Sequence, residues 1–225
     1  MNKTAIVTGA SSGIGLAIAN MLVEEGYDVV GLGRTFDGSK YKFETIVCDI
    51  TDTDRLIDTV KNIKNVSMLV NCAGLGFYGL HENLSVDSIK AMTRTNFEAP
   101  MILTNYFLPK FKRQGEGTIV YISSVTAFKT NTYGAAYGAI KSGLSSFAAS
   151  IFEEARKHNI RVIEICPDMT ATNLYRNADF NIDDDPRAYL EPLDVALVLK
   201  NAIELKNGCV TRLSVVPQIN RVKKK

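Results

Sequence analysis

Histidine is scarce in this chain. Its 225 residues include two, His81 and His158, and neither lies near a cysteine or near the other. A zinc site built from close-spaced ligands is therefore not expected, and no metal site is assigned. A serine–histidine–aspartate triad would need one of the two by accident of folding. Cysteine is sparse as well: Cys48, Cys72, Cys166 and Cys209 are scattered, with no Cys-x-x-Cys pair. In a chain of this length they read as buried thiols, not as a disulfide framework. No apolar run approaches the ~18–20 residues that a membrane span requires. The run Ala5-Ile6-Val7 behind Lys3 stops at Thr8-Gly9, too short for a signal peptide. The cytoplasm is the expected compartment, and no membrane partner is expected. An excess of one charge is also missing. Lys plus Arg is 26 against 24 for Asp plus Glu, a net charge of +2, too balanced for nucleic acid as the main partner. Much of that excess sits in Arg221-Val222-Lys223-Lys224-Lys225, which reads as a frayed, solvated tail.

What is present is ordinary globular material. Hydrophobic residues make up 46% and charged residues 22%, which excludes disorder for the bulk of the chain. The length suggests about one to one and a half domains. No repeat or linker divides it, so residues 1–220 are expected to form one domain, followed by the tail 221–225. Short β-rich runs at 4–7, 27–32, 43–48, 66–70, 118–122, 161–166 and 213–216 alternate with helical patterns. In 13–25, Ile14, Ala17, Ile18, Met21 and Leu22 recur three and four apart, as one helix face requires. Further helices are expected over 52–63, 86–112, 133–158 and 192–205. Strands apolar on both faces, alternating with helices, imply an α/β fold: a doubly wound parallel sheet of about seven strands with helices on both faces. The irregular stretch 167–192 is long for a compact domain and reads as a lid over a pocket.

The first strand runs into Thr8-Gly9-Ala10-Ser11-Ser12-Gly13-Ile14-Gly15, and a helix follows at once. Gly9 permits a sharp turn, and Gly13 lets the backbone approach a pyrophosphate met by N–H groups at the helix start. The spacing is Gly-x-x-x-Gly-x-Gly rather than the general dinucleotide fingerprint, so the strand–turn–helix setting carries the argument. The same residues would also suit a plain turn capped by Ser12. About 20 residues on, where an acid usually holds a ribose, stands Gly33-Arg34. Arg34 can pair with a 2′-phosphate that a carboxylate would repel. This favours NADP(H) and leaves NAD(H) open.

Tyr137 and Lys141 stand at i and i+4, on one helix face. A nearby ammonium would lower the phenol's pKa from its free value of about 10 and let it exchange a proton with a carbonyl or hydroxyl. Alone, such a pair also arises by chance.

In combination, Thr8–Gly15, Asn71-Cys72-Ala73-Gly74, Asn96, Ser123-Ser124 and Tyr137…Lys141, in that order, make the sequence resemble the short-chain dehydrogenase/reductase family. The resemblance spans about residues 1–172 and weakens afterwards. Two departures stand out: Cys72 replaces an asparagine, and Asp168 replaces the usual glycine after Pro167. The resemblance implies an NADP(H)-dependent oxidoreductase with a Rossmann-like fold. Tyr137 would be the acid/base, and Lys141 would lower its pKa and bond the nicotinamide ribose. Ser124 would hold the substrate oxygen, and Asn96, at a helix distortion, would hold a water linking Lys141 to solvent. The pyrophosphate turn would comprise Gly9, Ser11, Ser12, Gly13, Ile14 and Gly15. Asp49 and Ile50 would meet the adenine, and Asn71, Ala73 and Gly74 the adenosine ribose. Pro167, Thr170 and Thr172 would meet the carboxamide or the pyrophosphate. A homodimer or homotetramer is also implied, with helices 86–112 and 133–158 packing against partners.

The substrate is the least determined part. Phe77, Tyr78, Phe128, Tyr133, Tyr175 and Tyr189 are candidate pocket residues, though such aromatics more often pack cores or lids. They suit a small ketone, aldehyde or 3-oxo compound reduced to an alcohol, or the reverse. An NAD-dependent alcohol dehydrogenase and a non-catalytic dinucleotide-binding regulator remain alternatives.

Overall fold

The computed structural model of the protein describes residues 3–38 and 40–225. Its centre is β1 (Thr4–Thr8), whose five residues are all buried. A strand covered on both faces needs apolar side chains on both, which is why Ala5, Ile6 and Val7 run without alternation. β1 pairs in parallel with β2 (Asp28–Gly33) on one side and with β4 (Val66–Asn71) on the other. The full order is β3-β2-β1-β4-β5-β6-β8, with β3 at Glu44–Val47, β5 at Gly117–Ile122, β6 at Ile160–Pro167 and β8 at Arg212–Val215. All seven strands are parallel, so the expected α/β sheet of about seven strands is what forms.

Two apolar layers cover the sheet. On one face Ile6, Leu32 and Tyr121 pack with α2 (Thr53–Val60), α4 (Ala99–Gln114) and α5 (Ala135–Ala155), through Leu56, Phe107 and Leu144. On the other, Ala5, Val7 and Ile163 pack with α1 (Gly13–Glu24) and α6 (Pro192–Ile203), through Ile18, Leu22 and Leu199. Burying each large apolar residue of these layers contributes about 1.5–3 kcal/mol. Strand order reverses about β1, where β2 and β4 diverge. In open α/β sheets that switch point opens a crevice at the carboxyl ends of the strands. Among the described residues, no helix is long and apolar enough to cross a membrane.

The structure corrects three expectations. The helix expected over 86–112 is broken into α3 (Val86–Thr93), a π-helical turn (Arg94–Glu98) and α4. The wider turn directs Asn96 inward, where its amide brackets one residue: Oδ1 accepts from Leu75 N–H at 2.8 Å and Nδ2 donates to Leu75 O at 2.7 Å. The stretch 167–192 is not wholly irregular, since β7 (Phe180–Ile182) lies within it. Nor is 221–225 a frayed tail. Val222–Lys224 forms β9, antiparallel to β7. Lys223 pairs with Asp184 at 2.7 Å, and Arg221 approaches Asp185 at 3.6 Å. Lys225 Nζ donates to Tyr175 O at 2.9 Å. The basic run thus neutralises the acidic run Asp183-Asp184-Asp185. Three-residue strands with little apolar pattern leave no local periodicity to read, so charge matching between distant segments decides their pairing.

Those ion pairs lie at the surface, with Asp185 partly covered, and surface pairs are worth about 0–1 kcal/mol each. Deleting 221–225 should therefore barely move the global unfolding temperature yet open 173–190 to protease. An unchanged limited-digestion pattern would contradict this.

Candidate active site

A groove of about 570 Å³ opens at the carboxyl ends of β1, β4 and β5, well within the size of a small-molecule site. Its floor is the turn from β1 to α1. Gly9 has φ +71°, and a Cβ there would lie 2.8 Å from Ala73 Cα. A Cβ on Gly15 would lie 2.3 Å from Gly9 O. Backbone meets backbone at both places, so the turn closes only without side chains. Ser12 occupies the N-cap but makes no side-chain hydrogen bond to the helix, so the plain capped turn is not what forms. Gly13, Ile14 and Gly15 line the groove and bring the N–H groups of the helix start to it. Thr8 ties this floor to the next loop: its Oγ1 accepts from the N–H groups of Cys72 and Ala73, each at 3.0 Å. Thr8 was not among the expected site residues.

The adenosine end is polar and cationic. Asp49 Oδ1 accepts from Thr51 N–H at 2.9 Å and Thr51 Oγ1 at 2.8 Å. That backbone hydrogen bond first, with the Arg34 and Arg55 charges as lesser causes, holds its carboxyl below the usual range. Arg34 is exposed on the groove rim, beside Gly33 and Ser11. Arg94 and Lys90 also reach the groove; Arg94 opens the π-helical turn Arg94–Glu98, the helix distortion that the resemblance placed at Asn96.

The groove brings together Gly9, Ser11, Ser12, Gly13, Ile14, Gly15, Arg34, Asp49, Ile50, Ala73, Gly74, Ser124, Tyr137, Lys141, Pro167, Thr170 and Thr172. Asn71 and Asn96 stand off its wall. Asn71 ends β4 with its side chain buried, and neither amide atom has a hydrogen-bond partner among the described residues. It does not line a ribose subsite as expected, because the strand's alternation turns it into the protein. Pro167-Asp168 makes its turn without left-handed backbone: among described non-glycine residues only Asn65 and Asn159 have positive φ. Asp168 instead stitches the turn, accepting from Met169 N–H at 2.9 Å and pairing with Lys129 at 3.7 Å.

At the other end three hydroxyls converge. The Ser124 and Tyr78 side chains flank Tyr137 in the groove, and their hydroxyls favour its ionised form. Thr126 donates to Ser124 Oγ from its N–H at 3.2 Å and its Oγ1 at 2.9 Å, which leaves the serine proton for an acceptor in the groove. Lys141 lies one helical turn from Tyr137, but its Nζ donates to Ile122 O at 2.8 Å and stands 5.7 Å from the Tyr137 ring centre. The expected acidification of the phenol by the ammonium is thus corrected. Burial, with the nearby Tyr175, pushes Tyr137 above its ordinary value, against the two hydroxyls. Burial likewise pulls Lys141 down to about 8, opposed by Cys72, Cys166 and Glu164. Sharing a helix face places the pair; the carbonyl at the end of β5 decides where the amine points.

Of the six aromatic candidates, Tyr78 and Tyr175 line the groove and Phe77, Phe128, Tyr133 and Tyr189 do not. Phe180, on β7, joins the wall and was missed.

The residues present fit a dinucleotide: a cradle that any Cβ would fill, a helix start with uncapped N–H groups, and a cationic rim where a ribose would lie. A family model described as short chain dehydrogenase matches residues 3–182. The protein is 33% identical over 228 residues to an uncharacterized short-chain type dehydrogenase/reductase of Sinorhizobium fredii, across 96% of this sequence and 91% of that one. Its fold matches an alcohol dehydrogenase from the archaeon Thermococcus sibiricus complexed with 5-hydroxy-NADP, with a TM-score of 0.86 at 22% identity, covering 98% and 99% of the two proteins. It also matches ElxO with NADP bound, with a TM-score of 0.83 at 25% identity, covering 96% and 97%.

Proposed function

Because this chain belongs to the short-chain dehydrogenase family and is an oxidoreductase using a nicotinamide dinucleotide, we propose that it interconverts a small carbonyl compound and its alcohol with NADP(H). The observation that carries this reading is the meeting of the Ser124 and Tyr137 hydroxyls at the end of the dinucleotide-sized groove. The nicotinamide, when bound, supplies or accepts the hydride. The turn Gly9–Gly15 would hold the pyrophosphate, Asp49 and Ile50 the adenine, Ala73 and Gly74 the ribose, and Pro167, Thr170 and Thr172 the carboxamide side.

Tyr137 gives its proton to the substrate oxygen during reduction and takes it back during oxidation. Ser124 swings its O–H from the phenol to that oxygen, where charge grows, and so binds the transition state better than the ground state. Lys141, whose amine rests on Ile122 O at the groove wall, would donate to the nicotinamide ribose. The Asn96 amide is spent on Leu75, so the water it holds toward Lys141 would rest on its backbone carbonyl. Tyr78, Tyr175, Phe180 and Met169 give the substrate end an apolar wall, suited to a small ketone, aldehyde or 3-oxo compound.

Arg34 is the expected source of preference for NADP(H). A bidentate contact to the 2′-phosphate is worth about 1.5–3 kcal/mol. Arg34→Asp should therefore weaken NADPH binding roughly 10- to 100-fold while leaving NADH binding nearly unchanged or improved. Titration of both dinucleotides checks this; equal losses for the two would contradict it.

A further inference from the structure

Tyr78 sits on the loop after β4, held against the reaction centre by its own loop and by three neighbouring rings. A Cβ on Gly76 would lie 2.7 Å from the Tyr78 ring and 3.0 Å from its hydroxyl, so the ring folds back over a residue that has none. Asn177 Nδ2 donates to Gly76 O at 3.3 Å, and Gly79 N–H donates to Tyr133 O at 2.7 Å. The loop is thus anchored on both sides of the ring. The ring itself lies 5.4 Å from Tyr137, 5.3 Å from Phe180 and 6.0 Å from Tyr175, centre to centre. Phe180 is in turn set by β7, which β9 pairs.

A phenol oxygen has two lone pairs and one proton. The Ser124 and Tyr78 hydroxyls, beside Tyr137 in the groove, can each donate to one of those lone pairs, which leaves the Tyr137 proton for an incoming substrate oxygen. When Ser124 turns to that oxygen, one donor remains on the phenol. We propose that Tyr78 is a positioning residue of the reaction: its ring, held over Gly76 and packed on Phe180 and Tyr175, keeps its hydroxyl beside Tyr137, where it donates to the phenolate left when that oxygen gives up its proton. This rests on the reading of Tyr137 as acid/base. No bond to hydrogen breaks in Tyr78; the proton that moves is that of Tyr137, and it ends on the substrate alkoxide.

The titratable groups facing Tyr137 are few. Tyr78 comes from the loop after β4, Tyr175 from the turn after β6, and Lys141 from α5. Asp168 acts on Tyr175 and is itself paired with Lys129. Cys72, Cys166 and Glu164 surround Lys141.

The test is oxidation of the fastest of a panel of small secondary alcohols with NADP, followed against pH in wild type, Tyr78→Phe and Tyr137→Phe. Phenylalanine keeps the ring and its packing and removes one donor. Tyr78→Phe should lower kcat about tenfold, leave KM within about twofold, and move the acid limb of the profile up by about one pH unit, since a factor of ten is one unit. Gly76→Ala, which displaces the ring, should move the limb the same way. In isotope-labelled tyrosine spectra of the protein alone, the Tyr137 Cζ resonance, assigned by its loss in Tyr137→Phe, should shift in Tyr78→Phe. Wild-type kcat and limb in Tyr78→Phe, a change in KM alone, or an unmoved Cζ resonance would each overturn the proposal. Full activity in Tyr137→Phe would instead overturn the reading on which it rests.

Discussion

Tyr137→Phe lowers kcat by about a thousandfold, while the affinity for NADPH changes little. General acid–base catalysis by one positioned group contributes ~10²–10⁴ in rate, and no other described residue presents a proton at the meeting point of Ser124 and Tyr78. The ring is 4% exposed, so phenylalanine keeps its packing. The cost to the fold is the loss of an acceptor for two hydroxyl donors. Each buried donor left without a partner costs about 1–3 kcal/mol, but Ser124 and Tyr78 both line the open groove, where water can accept their protons. A fall of a few degrees in unfolding temperature is therefore expected for a protein of this size. Steady-state rates with a carbonyl panel, NADPH titration and a thermal melt separate the three effects. Wild-type turnover in this variant would remove Tyr137 from the mechanism.

Lys141→Met abolishes most turnover and makes the protein more stable. The amine is 3% exposed and, among the described residues, has one hydrogen-bond partner, Ile122 O at 2.8 Å. Burial lowers its pKa to about 8. The sign follows from proton counts. Between about 8 and the unfolded value near ~10.5, the unfolded protein binds more protons than the folded one, so stability from this group rises with pH through that window. Below pH 8 the folded protein carries the full penalty, roughly 3 kcal/mol at ~1.4 kcal/mol per unit. Methionine removes the charge and keeps the stem. After the loss of one hydrogen bond, the net gain at pH 7 should be about 1–2 kcal/mol, a rise of roughly 2–8 °C. At pH 10 the gain should shrink. Such an exchange of stability for activity is expected where a charge is held in a dry site for use. Turnover should fall at least about a hundredfold, because the nicotinamide ribose loses the amine that would hold it in register with Tyr137. A variant less stable than wild type at pH 7 would show that the amine is a structural strut rather than a stored charge.

The sheet was legible because its signals are local. Seven apolar runs, alternating with helical stripes such as Ile18 and Leu22, name seven strands and a fold class. Gly9 to Gly15 announces a turn that admits no Cβ, and Arg34 announces a cation at the rim. Residue type and spacing also bring Ser124, Tyr137 and Lys141 to one groove. What sequence could not give was direction. Lys141 turns to Ile122 O instead of toward the phenol, a choice between acceptors that neither i, i+4 spacing nor charge decides. Asn71 is buried where a ribose contact was expected. The pairing of β7 with β9 depends on acids at 183–185 meeting bases at 221–223 across a long loop. Tyr78 stands out in sequence only as one aromatic among several. Its place on Tyr137 follows from Gly76, Asn177 and Phe180, which come together only on folding.

Deuterium transfer tests the central claim most directly. NADPH labelled at the transferring position is mixed with the protein and a panel of small carbonyl compounds, and the product alcohol is weighed by mass spectrometry. The wild-type protein should place one deuterium on the carbinol carbon of at least one product, and Tyr137→Phe should bind the labelled NADPH yet transfer almost none. Tight binding of NADPH by both proteins with no label on any product would contradict the account and leave a protein that binds the dinucleotide without using it.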